Sequence, residues 1–292
     1  MKVLVTGAAG SLGSNTCQAL QAAGIEFRAT DVRTNRSLPF KVVVTDLLNR
    51  EKCYGLIEGC DVVVHLGNHT HAGSADAQHV FGENGAMNVN IFQAAMELGV
   101  GKIVFASSIQ AMVGVRPFCE HETVSSRLAY LPADGDMQGR PGNHYAVSKV
   151  AGEQFLKYMV DYQHMASAIA IRFPGMMPPK FYDRARQHTD PNHIWEQANV
   201  DEAFTWLSFA DGGRLVAAVV KADLPGYRCY LPAHPLPRID LTPQAIIKRF
   251  FRNVPLRKPL DQIASLVDIS RITADTGWAP QDDFRTAPAT AT

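Results

Sequence analysis

Thr6-Gly7-Ala8-Ala9-Gly10-Ser11-Leu12-Gly13 follows the apolar run Val3-Leu4-Val5 and leads into a stretch of helical period over 12–23, so the chain turns here from strand to helix. Gly7, Gly10 and Gly13 each answer a steric need of such a turn: a tight reversal, a close backbone approach to a bound group, and tight packing of helix on strand. The helix opening at Ser11 and Leu12 presents free N–H groups and a positive dipole end, which suits a phosphate. Asp31, about 20 residues on, ends the second strand, where a carboxylate accepts bonds from ribose hydroxyls and repels a phosphate there. Loop and carboxylate together predict a dinucleotide site for NAD. NADP is the lesser expectation, with Arg33 two residues further on to serve a phosphorylated ribose.

Outward from this loop, β-rich runs at 2–6, 26–30, 41–44, 61–66, 101–106 and 167–172 alternate with helical periods at 12–23, 50–58, 78–98 and 145–164. Val62-Val63-Val64 and Ile103-Val104-Phe105 are continuous apolar runs, as in strands covered on both faces. The alternation predicts an α/β fold, a doubly wound parallel Rossmann-type sheet with its ligand at the carboxyl ends of the strands. After Arg172 the run Phe173-Pro174-Gly175-Met176-Met177-Pro178-Pro179 breaks regular structure and starts a smaller C-terminal substrate lobe. The predicted division is a dinucleotide-binding domain over 1–173, with 205–232 returning to it, and a substrate lobe of 174–204 and 233–292. Later elements are expected at 211–221 (helix), near 227–231 (strand), and near 242–251 and 268–276 (helices), with a frayed tail from Ala287 to Thr292.

Lys plus Arg and Asp plus Glu both total 28, so no net field draws the chain to nucleic acid or to an anionic membrane, and a small molecule is the expected partner. Cys17, Cys53, Cys60, Cys119 and Cys229 are scattered with no Cys-x-x-Cys pair, which predicts free thiols in a reducing cytoplasm. No run approaches the roughly 20 apolar residues of a membrane span, and the opening Met1 to Gly7 is too short for a signal-peptide core. His65, His69, His71 and His79 have no carboxylate or cysteine at ligand spacing, so no metal is expected and His69 is read as a substrate-loop residue.

Tyr145-Ala146-Val147-Ser148-Lys149 opens the helix at 145–164 and puts Tyr145 and Lys149 on one face, about 5–6 Å apart at Cβ. An ammonium about 4 Å from a phenolate, at an effective dielectric near 20, is worth about 4 kcal/mol, or roughly 3 pKa units. That would bring a phenol close to neutrality and make it a base. Ala106-Ser107-Ser108 closes the fifth strand at the same sheet edge.

These pieces resemble the extended short-chain dehydrogenases, the NAD-dependent epimerase/dehydratase family. The resemblance is carried by Thr6 to Gly13, Asp46-Leu47, Val64-His65-Leu66-Gly67, Asn84 with Asn90 and Ala94-Ala95, Phe105-Ala106-Ser107-Ser108, Tyr145 to Lys149, Arg172-Phe173-Pro174, and Val267 to Arg271 with Gly277-Trp278. It implies Asp46 and Leu47 near the adenine, Leu66 and Gly67 along the cofactor, and Asn84 supporting the helix beside the site and counted among the cofactor residues. It further implies Tyr145 as acid/base, Lys149 on the nicotinamide ribose, Ser108 on the reacting oxygen, and a homodimer through the helices at 78–98 and 145–164.

The chain departs from the family pattern after Ser108, where Ile109-Gln110-Ala111-Met112-Val113-Gly114 replaces the usual Tyr-Gly. Ile109-Gln110 offers no acid to a leaving hydroxyl, so dehydration is not expected. The expected reaction is hydride transfer at a secondary alcohol of a nucleotide sugar, like a 4-epimerase. The alternative is an NAD-dependent dehydrogenase of a free sugar or sugar acid, like the uronate dehydrogenases, whose pattern Gln110 half matches as a substrate contact. A non-catalytic dinucleotide-binding regulator is the second alternative, against which the intact Ser108, Tyr145 and Lys149 stand. In the second lobe Arg184, Arg186 and His188 are candidates to meet an acidic group, and Trp195 and Trp206 to stack on a sugar or pack the core.

Overall fold

The computed structural model describes residues 1–70, 76–113, 128–190 and 200–288. Its centre is a parallel sheet of β1 (Lys2–Thr6), β2 (Glu26–Asp31), β3 (Val42–Val44), β4 (Val62–His65), β5 (Lys102–Ser108), β6 (Ser167–Phe173) and a last strand, Gly226–Tyr230, in the order β3-β2-β1-β4-β5-β6 and then that strand. Successive residues of β1 serve opposite faces: Val3 and Val5 pack with Leu215, Val216 and Ile171, whereas Leu4 packs with Val63, Ile91 and Phe92. That alternation is the period of two of a strand covered on both sides. The first face carries α1 (Ser11–Ala22) and the helix Phe209–Lys221, the second α2 (Arg50–Ile57), α3 (Glu83–Glu97) and the long α5 (His144–Gln163).

Close approach of these layers depends on small residues. A Cβ on Gly213 would lie 2.5 Å from the Asn15 carbonyl of α1, and one on Gly152 would lie 2.8 Å from the Phe105 ring. The order of strands reverses between β1 and β4, so a crevice opens at their carboxyl ends, where ligands of such sheets bind.

Above that edge a further core gathers Ile109, Met112, Leu131, Phe204, Ile246 and Phe251, contributed by the short α4 (Gln110–Val113) and the residue before it, by the segment around Leu131 and by C-terminal segments. The two-residue strands Met176–Met177 and Leu207–Ser208 pair in parallel and tie the stretch after β6 to the start of Phe209–Lys221. Trp206 is fully buried, edge-on to Phe284 at 4.9 Å and stacked on His234 at 4.5 Å, so it is core and not a sugar platform; Trp195 lies outside the described residues.

The helix expected as one unit over 78–98 is broken into a π turn, Gln78–Gly82, followed by α3. His79 and Glu83, four residues apart across that turn, lie side by side at 3.1 Å. The four described free cysteines are all buried; Cys119, and the end of the tail expected to fray, lie outside the described residues. Among the described residues no helix is long and apolar enough to cross a membrane.

Candidate active site

Two cavities of about 510 and 630 Å³ lie end to end along the carboxyl edge and share Gly7, Gly10, Leu66, Asn68 and Thr70 as walls. The larger is lined by Asp31, Asp46, Leu47, Leu66 and Gly67. The smaller is lined by Gly10, Ser11, Leu12 and Gly13 and by Ser108, Gln110, Tyr145 and Lys149.

A dinucleotide fits this groove because the backbone leaves no room for side chains where it must pass. Gly7 has φ +66°, and a Cβ there would stand 2.8 Å from the Leu66 carbonyl; a Cβ on Gly13 would stand 2.1 Å from the Gly7 oxygen. The first turn of α1 has no side-chain cap and no acidic residue, so its N–H groups face the groove unopposed. Asp31 is held as an acceptor by the Ala9 N–H (3.0 Å) and the Arg33 N–H (3.1 Å), with its carboxylate on the cavity wall. Asp46 closes its own turn by accepting from the Leu48 N–H at 2.9 Å, and Asn90 holds the Leu47 carbonyl at 2.9 Å.

At the other end Tyr145 and Lys149 come one turn apart from α5. Asn143 starts that helix by accepting from the Ala146 N–H at 2.8 Å. The Lys149 ammonium donates to Asn68 Oδ1 (2.8 Å) and to the Ala106 carbonyl (2.9 Å), and sits 5.5 Å from the centre of the Tyr145 ring. Burial pushes Lys149 down to about 7, opposed by Glu153. Burial pushes the Tyr145 phenol up to about 12, and its hydrogen bond with Ser108 pulls the other way. The depression of Tyr145 by Lys149 expected from helical spacing is therefore corrected. The ammonium is turned onto Asn68 and a carbonyl, so desolvation governs the phenol and Ser108 is the group that favours its ionised form.

One turn beyond Lys149, Glu153 forms a buried pair with Arg172 (2.7 Å), which also holds the Met137 carbonyl at 2.6 Å and so ties α5, β6 and the segment after Leu131 together.

Other expected residues fall elsewhere. Asn84 is fully buried and lines neither cavity; it bonds the His69 N–H (2.8 Å), the His69 carbonyl (3.2 Å) and Ser148 Oγ (3.1 Å). It braces the loop after β4 against α5 without meeting the cofactor groove. His69 lines the larger cavity, not the substrate end, and bonds Glu83 at 2.7 Å. The histidines also have the carboxylate that spacing failed to show: Glu83 meets His69 and His79, and the three donor atoms lie within 4.8 Å of one another, while His71 is outside the described residues. Arg186 is bound to Asp183 and to the Phe284 and Ala287 carbonyls, and neither it nor Arg184 nor His188 lines the smaller cavity.

Glu202 is the residue that sequence reasoning missed. It lines the smaller cavity with Tyr145, Ser108 and Gln110, and its carboxyl is bonded by the Gln110 side chain. Burial raises it to about 7 against the pull of Arg238. It sits in a turn directly after helical residues 200–201, and so short a described stretch carries no periodic signal to find it by.

Sheet order, glycine cradle and the Ser108, Tyr145 and Lys149 cluster define a dinucleotide-binding α/β enzyme of the short-chain dehydrogenase/reductase type. The chain belongs to the NAD dependent epimerase/dehydratase family, whose model matches residues 3–200, and it is an NAD-using enzyme of that family. It is similar to the L-arabinose 1-dehydrogenase (NAD(P)(+)) of Haloferax volcanii, 27% identical over 77% of this chain and 84% of that protein. It is also similar to the uronate dehydrogenase of Pseudomonas putida, 25% identical over 74% of this chain and 69% of the relative. The UDP-glucose 4-epimerase of Thermus thermophilus shares the fold, with a TM-score of 0.65 at 22% identity over 99% of this chain and 100% of that one.

Proposed function

We propose that this chain is an NAD-dependent dehydrogenase of a free sugar or sugar acid, with Tyr145 as its acid/base. The observation that carries the reading is likeness, over about three quarters of this chain, to an L-arabinose 1-dehydrogenase and a uronate dehydrogenase. The 510 Å³ cavity is shared between the glycine loop and the cluster of Ser108, Gln110, Tyr145 and Glu202. The nucleotide-sugar 4-epimerase expected first is matched by likeness of fold at 22% identity, which supports the fold and not the substrate.

When bound, NAD supplies the two-electron acceptor. Gly7, Gly10, Ser11, Leu12 and Gly13 hold its diphosphate, Asp31 its adenosine ribose, and Asp46, Leu47, Leu66 and Gly67 its flank. Tyr145 takes the proton of the hydroxyl being oxidised, Ser108 bonds the same oxygen, and Lys149, steadied by Asn68 and the Ala106 carbonyl, would hold the nicotinamide ribose. In the same proposal residues 174–204 and 233–292 form the substrate lobe on the 1–173 unit, to which 205–232 returns. Two copies pair through α3 and α5, whose outer faces expose Val89, Val147, Tyr158 and Tyr162.

The test is absorbance at 340 nm with NAD, then NADP, across aldoses, uronic acids and UDP-sugars. A lasting rise with a free sugar or sugar acid is expected; interconversion of two UDP-sugars without net rise would overturn the reading. Tyr145→Phe is expected to lose at least about 100-fold in kcat with NAD binding intact, and full activity in that variant would remove Tyr145 from its role.

A further inference from the structure

The cavity that holds Tyr145 also holds a carboxylate with no assigned role in the steps above, Glu202, whose charge adds to the upward push on the Tyr145 phenol. Glu202 is built into place. Asn143, which caps α5, donates from Nδ2 to Gln110 Oε1 at 3.2 Å, and this fixes the Gln110 amide with its Nε2 as the donor to Glu202. The carboxylate is thereby tied to the helix that carries Tyr145. Its own backbone carbonyl is held by the Thr205 N–H (3.1 Å) and the Thr205 hydroxyl (2.7 Å). The two residues after it, Ala203 and Phe204, both have φ +53°, a conformation unfavourable for side chains with a Cβ that a chain retains where the surroundings enforce it.

Among the described residues lining the cavity, Lys149 is the one other charged group, and its ammonium is committed to Asn68 and Ala106. Arg238 is not among the lining residues but stands behind Gly175, with Nη1 3.6 Å and Glu202 Oε2 3.9 Å from the point a Cβ on Gly175 would occupy, and its charge pulls Glu202 down. The neighbouring Asp201, fully buried, pushes Glu202 the other way.

We propose that Glu202 sets the substrate class of this cavity: its carboxylate accepts hydrogen bonds from the hydroxyls of an uncharged aldose and keeps the carboxylate of a sugar acid out. This narrows the dehydrogenase reading and rests on it.

The test pairs D-galactose with D-galacturonate and D-glucose with D-glucuronate, at pH 8.5, where Glu202 is ionised. The wild-type protein is expected to favour the aldose in kcat/KM by about tenfold or more, the scale of a like-charge contact at short range. Glu202→Gln removes the charge and keeps the shape. It is expected to raise KM for the aldose, improve the uronate, and move the ratio by about tenfold, while Glu202→Asp keeps the wild-type sense. A wild-type preference for the uronate, or a ratio unmoved in Glu202→Gln, would overturn the proposal even with turnover established.

Calorimetric titration of the same sugars into Tyr145→Phe with NAD, with and without Glu202→Gln, separates the two readings. Aldose binding that loses its selectivity in the double variant sustains the Glu202 proposal even where no free sugar is turned over. Absence of binding by either sugar class overturns both.

Discussion

His65, at the end of β4, is fully buried between two polar neighbours: Thr6 Oγ1 at 2.8 Å from Nδ1 and Asn88 Oδ1 at 3.0 Å from Nε2. Because Thr6 Oγ1 also accepts from the Leu66 and Gly67 N–H groups, its own proton goes to Nδ1, and His65 is neutral with its proton on Nε2. Burial and the nearby Lys149 push it down to about 3. The unfolded chain takes up a proton at His65 below about 6.5, which the folded chain refuses until far lower pH, so folding loses stability on acidification through this window at up to about 1.4 kcal/mol per pH unit. Urea midpoints from pH 7.5 to 4.5 are expected to fall less steeply in His65→Gln, and equal slopes would show that His65 carries no such penalty. At this scale the sequence made Ser108, Tyr145 and Lys149 legible as a cluster, because each stands at a strand end or a helix start. It could not show where the Lys149 ammonium turns, since Asn68 and the Ala106 carbonyl reach it only through the folded sheet edge.

The glycine loop is the element on which NAD binding depends, and its glycines are not equivalent. A Cβ on Gly13 would meet the Gly7 oxygen at 2.1 Å and the Ala8 Cα at 2.7 Å, both rigid backbone, whereas one on Gly10 would stand 3.2 Å from the Gly7 oxygen. Gly13→Ala must therefore lift α1 from the loop, and it is expected to cost about 1–3 kcal/mol of stability and at least about tenfold in NAD affinity. Gly10→Ala is expected to cost less of both. Thermal melts and fluorescence titration with NAD measure the two, and an unimpaired Gly13→Ala would mean that α1 does not need its contact with the loop. The six strands and three of the four helices read from period appear at these places as single elements, and the fourth, over 78–98, appears in two pieces. The π turn at Gln78–Gly82 was hidden, since one inserted residue leaves the apolar period of α3 intact on either side. The two-residue strands Met176–Met177 and Leu207–Ser208 have no local pattern at all and exist through each other.

For the whole molecule, the doubly wound order brings the loop after β1, the carboxylate at the end of β2, the edge of β4 and the serine of β5 to one side of the sheet, so a single ligand can report on the integrity of all four. A ligand that binds only the folded state at a hundred times its Kd adds about 2.7 kcal/mol. NAD is accordingly expected to raise Tm by several degrees. NADP should raise it less at equal concentration, because Asp31 presents its carboxylate to the same cavity wall and is anchored there by the Ala9 and Arg33 N–H groups, while the Arg33 side chain is the one basic group lining that part of the cavity among the described residues. Asp31→Ser removes the repulsion and leaves Arg33, so the difference between the two dinucleotides should shrink or reverse. A wild-type Tm that rises as much with NADP as with NAD, or an Asp31→Ser variant that keeps the full preference, would show that the choice of dinucleotide is made elsewhere in the groove.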